Sequence, residues 1–144
     1  MIPPMDETAD ETVDPLTRVA AFLAQFGRDR NLTLPALAAD GTGSVQRGSA
    51  VVSIHVLADR GVLLLLARVA AAPVALDGGL GKRLLTASFV ETGDAAFALH
   101  PQTGDLYLRI LRGLDGLDYE EFEDLVDSIA RTADHWDDEL KTPA

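Results

Sequence analysis

The chain has 144 residues, no cysteine and three histidines, with 47% hydrophobic and 24% charged residues. That is the length of one domain with an ordinary apolar interior, and the lack of cysteine excludes disulfides, thiolate zinc sites and cysteine nucleophiles. A formal net charge of −11 makes nucleic acid and anionic membranes poor partners, because binding to either is driven by neutralising its negative charge.

Residues 1–13 contain Pro3 and Pro4 and no hydrophobic periodicity, and read as a disordered acidic tail. Met1 to Asp14 carries five acids and no base, unlike a secretory signal. Asp14-Pro15 is a helix start, an N-cap acid followed by proline at the first helical position. Leu16, Val19, Ala20, Leu23 and Phe26 then recur at helical spacing, which predicts a helix over 15–29. Phe22 widens its apolar face, Gly27 weakens its end and Asn31 can close it.

Leu32 to Leu37 is a short apolar stretch holding Pro35, read as an edge or irregular strand. Asp40-Gly41-Thr42-Gly43-Ser44 is turn chemistry. From Ser49 to Ala58 the pattern alternates, with Val52, Ile54 and Val56 on one face and Val51, His55 and Leu57 on the other. Asp59-Arg60-Gly61 makes a tight turn into the apolar run Val62 to Val69, a hairpin partner. The longest uninterrupted apolar stretch, Val62 to Ala67, is far too short to span a membrane.

Asp77 to Phe89 reads as a second helix, weakened by Gly78, Gly79 and Gly81. Such a helix needs tertiary or quaternary packing to persist. Leu80, Leu84, Leu85 and Phe89 are therefore candidates for a dimer interface. Ala95–His100 and Leu106–Leu111 flank Pro101–Asp105 as a second hairpin, with Leu106, Leu108 and Ile110 on one face. Asp118 with Glu121 forms an Asp version of the capping box. After it Phe122, Leu125, Val126, Ile129, Ala133, Trp136 and Leu140 mark an amphipathic helix with a strongly acidic outer side. The fold class is α+β over residues 14–141: helix, three strands, helix, two strands, helix, with a strongly bent antiparallel sheet and helices packed on it.

Charge is concentrated at the ends. Residues 1–14 carry −5, residues 114–144 carry −9 and the middle carries +3. The simplest reading of the acidic face of the last helix is solvation.

Catalytic chemistry is hard to assemble. His55, His100 and His135 lie far apart in sequence, no G-x-S-x-G elbow is present, and Gly81-Lys82 fails the phosphate-loop pattern because Arg83 stands where Ser or Thr is required. Neither an enzyme, a metal site nor a cofactor is expected. Strands apolar on both faces instead suggest a binding surface. The candidates to receive a partner segment are Val19, Phe22, Leu23 and Phe26 on the first helix, and Val51, Leu57, Leu106 and Leu108 on the strands.

The stretch Leu117-Asp118-Tyr119-Glu120-Glu121-Phe122, followed by Leu125, Ile129, Ala133-Asp134-His135-Trp136 and Leu140, resembles the ending of the class I type III secretion chaperones, the Tir-chaperone family. Ala96-Phe97-Ala98-Leu99 with Gly104-Asp105-Leu106-Tyr107-Leu108 resembles the family's hairpin. Leu84-Leu85-Thr86-Ala87-Ser88-Phe89 is similar to its second helix, with Ser88 where the family often has Asn. The resemblance implies a cytoplasmic homodimer that holds the non-globular N-terminal segment of one secreted effector, keeping it soluble and ready for secretion. It also implies that the second helix and a neighbouring strand make the dimer, and it admits the secretion-apparatus ATPase as a further partner. The competing reading is a non-catalytic sensory or regulatory domain of similar fold that binds a folded protein or a small ligand.

Overall fold

Pro15 opens α1 (Pro15–Asp29) in the computed structural model, which describes residues 13–141. The expected acidic tail lies outside the described residues apart from Val13. Asp14 stands at the N-cap, but its carboxylate takes the Thr17 hydroxyl at 3.4 Å and no backbone N–H. Asn31, at φ 54°, closes the helix as expected, and Leu32 N–H then donates to Gly27 C=O at 2.8 Å. Gly27 has a packing role here. A Cβ on it would approach the Leu32 carbonyl to 3.2 Å, so a bare α-carbon lets the chain double back onto α1.

The expected strand over Leu32 to Leu37 does not form. Leu32, Leu34 and Leu37 pack their side chains on the core, but the backbone joins no ladder. The first strand is instead β1 (Thr42–Arg47), within and beyond the residues read as a turn. Asp40 accepts from Thr42 N–H at 3.1 Å and from its hydroxyl at 2.7 Å, which holds the Asp40 carboxyl below the usual range and starts the strand. Gly41, at φ 87°, donates to Ala38 C=O and accepts from Val56 N–H. A Cβ on Gly41 would lie 2.9 Å from the Val56 carbonyl. Gly41→Ala should therefore lower stability by about 1–3 kcal/mol in chemical denaturation, through left-handed strain and the clash together.

The remaining elements follow the expected order: β2 (Ala50–Leu57), a single 3₁₀ turn, β3 (Val62–Ala70), α2 (Leu80–Ala87), β4 (Ala96–Leu99), β5 (Leu106–Gly113) and α3 (Tyr119–Lys141). The sheet is wholly antiparallel, in the order β1-β2-β3-β5-β4, with a register shift in β3 between Arg68 and Ala70. α2 is shorter than the 77–89 expected, because Gly78 and Gly79 take positive φ and lie before the helix.

One face of the sheet is buried. Val52, Ile54, Val56, Leu63, Leu65, Ala67, Leu108 and Ile110 point into the core, where they meet α1 and the stripe of α3. Each such side chain taken fully out of water contributes roughly 1.5–3 kcal/mol. Asp118 caps α3 through Glu121 N–H at 2.8 Å, while the Glu121 carboxylate reaches Arg112.

The acidic side of α3 is only partly solvated. Arg30, at the end of α1, reaches Glu123 at 2.7 Å and Asp127 at 2.5 Å and lies 4.0 Å from the Phe26 ring centroid. Those two carboxylates hold the Arg30 guanidinium above its ordinary pKa against the opposing effect of burial. Ser49, in the β1–β2 turn, donates to Asp134, and Arg83 of α2 pairs with Glu139 at 2.5 Å. The acids of this helix thus anchor α1, a hairpin turn and α2. Tyr119 donates to Asp29 at 2.9 Å, and burial together with that bond pushes its phenol up to about 12.

The two sheet edges differ. On β4, Phe97 N–H points away from β5 and donates to Ser88 Oγ at 3.0 Å, and Ser88 in turn donates to Leu84 C=O at 2.9 Å. On β1, among the described residues, no strand pairs beyond it. No helix of the described residues is long and apolar enough to cross a membrane.

Candidate functional site

Among the described residues three apolar surfaces are open, and they sort the residues singled out from the sequence. The first surrounds α2. Leu85 is 73% exposed and Phe89 90% exposed, with Val90 and Leu76 beside them. Next to this ridge lies a hollow of about 230 Å³ lined by Leu76, Leu84, Phe97, Leu99 and Leu106. Of the expected dimer residues, Leu85 and Phe89 are free, Leu80 is half-buried, and Leu84 is a core residue of the monomer. Leu84 turns inward because it sits on the face of α2 that packs over β4.

The second surface is the other face of the sheet, which carries no helix among the described residues. Cross-strand pairing places Leu57 beside Val62, His55 beside Leu64, and Leu64 beside Leu111. The next rung is Ser53, Leu66, Arg109 and Ala96. Val51 and Leu111 are exposed, while Leu57, Val62, Leu64, Leu66 and Tyr107 are half-buried. The third surface is a groove of about 640 Å³ between α1 and the Leu32–Leu37 segment, with Ala20, Ala24, Leu34 and Pro35 in its walls.

Of the eight candidates for partner binding, Val51 and Leu57 lie together on the open sheet face. Val19, Leu23 and Phe26 are buried and face the sheet and α3, so they are not available at the surface. Leu106 and Leu108 are buried too, on the opposite face of the sheet from Val51 and Leu57. Phe22 is half-buried against Tyr119 and Phe122, with ring centroids 6.1 and 5.6 Å away. Leu64, Leu66, Arg109 and Leu111 were not singled out from the sequence. A near-continuous apolar run such as Val62–Val69 does not show which of its residues face outward, although the parity of Tyr107, Arg109 and Leu111 could have pointed there.

The histidines do not converge. His55 sits half-buried on the open face, where burial pushes its imidazole below the usual value. His100 Nδ1 accepts from Gln102 N–H at 3.1 Å and Thr103 N–H at 3.2 Å, closing the β4–β5 turn. His135 is exposed against Trp136. Among the described residues no three His, Asp or Glu side chains gather in a way that would hold a metal ion. The arrangement offers apolar area and sheet edge, the requirements for holding another polypeptide.

No curated protein matches the sequence. Among solved structures, the chain is similar to the ExsC-ExsE complex, at 27% identity and a TM-score of 0.70, over 87% of this chain and 95% of that one. It shares its fold with the HopA1-SchA chaperone-effector complex, at 12% identity and a TM-score of 0.68, over 85% and 95% of the two chains. The same holds for the heterodimeric ExoU-SpcU complex of the Pseudomonas aeruginosa type III secretion system, at 20% identity and a TM-score of 0.62, over 82% and 93%. The model of the Tir chaperone protein (CesT) family matches residues 21–137, most of the chain. The chain belongs to the Tir chaperone protein (CesT) family.

Proposed function

We propose that this protein acts in the cytoplasm as a homodimer, each subunit a single domain over residues 14–141, and holds the non-globular N-terminal segment of one secreted effector. The observation that carries this reading is the amount of bare apolar surface on a small domain: Leu85, Phe89 and Val90 around α2, and Val51 and Leu111 on the open sheet face. Exposed patches of this kind mark interfaces. A second copy takes the α2 ridge. The effector segment takes the open sheet face and the groove along α1, with β1 as an edge for strand addition. The neighbours solved as chaperone-effector complexes support the assignment of partner. The chain itself catalyses nothing in this reading. The acidic helix faces and the net charge of −11 keep the unloaded dimer soluble.

Co-expression with the first hundred or so residues of a secreted protein encoded beside it tests the proposal. The expected result is a soluble complex in which the segment gains protease protection without becoming a globular domain. Calorimetry should give a clearly negative heat-capacity change, since coupled ordering and binding buries on the order of 1,000–3,000 Å². Affinity should fall only weakly with salt. A partner that binds only as a folded domain, or turnover of a small substrate, would overturn the reading.

A further inference from the structure

The open sheet face differs from the rest of the protein in charge. The chain carries 23 acids, yet among the described residues none stands at an outward strand position of this face, and Asp40 and Asp105 meet it only at its margins, at Thr42 and Arg68. Its outward positions hold Thr42, Ser44 and Gln46 on β1, Ser53 and His55 amid Val51 and Leu57 on β2, then leucines, Tyr107 and two arginines. Arg68 is exposed and paired with Asp105 at 3.5 Å. Arg109 is different. It lies between Leu66 of β3 and Ala96 of β4, one rung from Leu64 and Leu111, and most of its surface is covered. Among the described residues its guanidinium has no hydrogen bond, ion pair or ring contact.

The stem of Arg109 is held by the apolar surround while its guanidinium still reaches water, so the charge stands ready for a carboxylate that arrives from outside the chain. Its planar fork matches a carboxylate in two parallel hydrogen bonds. The leucines around it accept apolar side chains on either side. We propose that Arg109 selects the client: the segment received on this face carries an Asp or Glu flanked by apolar residues, and that carboxylate seats on Arg109 while the flanking side chains cover Leu64, Leu66 and Leu111. This rests on the effector-binding reading and adds to it a sequence preference. A second copy of the chain is the weaker occupant, because the α2 ridge already offers that copy more strongly exposed apolar side chains. Approach of an acidic segment to an acidic protein is tolerable because charges beyond about 8 Å are screened at physiological salt.

The test uses the full chain and three synthetic sixteen-residue peptides of alternating Leu and Ser with a central Asp, Asn or Lys. Methyl NMR and calorimetry read the site and the affinity. The Asp peptide should shift Leu64, Leu66 and Leu111 methyls and bind roughly ten- to a hundredfold more tightly than the Asn peptide, the range for a hydrogen-bonded charge. The Lys peptide should bind most weakly at this face. Arg109→Met keeps the apolar stem and should erase the difference between Asp and Asn, and Arg109→Lys should restore part of it. Circular dichroism and the melting curve confirm that both variants fold. Equal affinity for the Asp and Asn peptides, or methyl shifts confined to the α2 hollow or the α1 groove, would overturn the inference. So would a change of oligomeric mass in Arg109→Met, which would make the face a contact between copies. A co-expressed client held equally by wild type and Arg109→Met overturns this inference and leaves the chaperone reading standing. A client held by neither takes down both.

Discussion

Leu85→Asp combined with Phe89→Asp should turn the dimer into a stable, soluble monomer. Light scattering should move from twice the chain mass to 15.3 kDa, with the circular dichroism spectrum and melting temperature of the isolated subunit preserved. Both side chains stand off the surface, at 73% and 90% exposure, and make no contribution to the interior that a charge would disrupt. In a two-fold dimer each is buried twice, and full burial of such side chains contributes roughly 1.5–3 kcal/mol apiece. Four such losses, with four carboxylates placed in an apolar contact, exceed what a micromolar dimer can absorb, since 1 μM corresponds to about 8 kcal/mol. Leu84→Asp is the necessary contrast. Leu84 is buried in the monomer, so its replacement should give misfolded or insoluble protein and says nothing about association. A native chain that runs as a clean monomer at micromolar concentration would end the dimer proposal outright.

Trp136→Ala should cost about 3–5 kcal/mol of stability, as for other large aromatic truncations in cores. Trp136 is 3% exposed, meets Phe97 edge-on with ring centroids 5.1 Å apart, and carries the Arg83 guanidinium 4.9 Å from its ring centre. It therefore joins α3 to β4 and to α2 in one contact. The expected fall in melting temperature is about 10–20 °C. Before mutation its fluorescence should be that of an indole shielded from water. An unchanged melting temperature would mean that α3 contributes to the fold through other residues. Because Arg83 also pairs with Glu139, Arg83→Ala should weaken the α2 docking without this penalty.

The elements were legible where side-chain period and capping agreed. α3 announced itself through Asp118, Glu121 and a stripe of seven apolar residues, and all but Leu140 of that stripe are buried. β2 was legible because Val52, Ile54 and Val56 alternate with less apolar neighbours. β1 was not. Thr42-Gly43-Ser44 has turn composition, and it becomes a strand only because β2 offers it a partner. Gly43 faces the interior without a side chain because Leu37 and Leu23 fill that place, at 3.2 and 3.3 Å from where its Cβ would be. The apolar side chains of Leu32, Leu34 and Leu37 do turn inward, but toward the core beside α1 and not in register with a neighbouring strand. The same limit applies to the binding residues. A stripe on α1 or the parity of β5 shows which residues face together, and only the packed molecule shows which side is left bare. Hence Val51 and Leu57 lie on the open face, while Val19, Leu23, Phe26, Leu106 and Leu108 are interior.

The hydroxyl of Ser88 has a consequence for how many neighbours the sheet can take. A protein with two free sheet edges has a valence of two and can grow into a filament by continuing its ladder from one molecule to the next. Here β4 is four residues long, and its outward Phe97 N–H is already occupied by Ser88. Beyond that bond β4 turns only the backbone of Phe97 and Leu99 outward, so β1 is the longer of the two edges that a strand could join. A client strand on β1 would end the ladder on that side. The Ser88 hydroxyl thus takes one of the few places where a further strand could grip β4, which makes that edge the poorer template for a growing ladder.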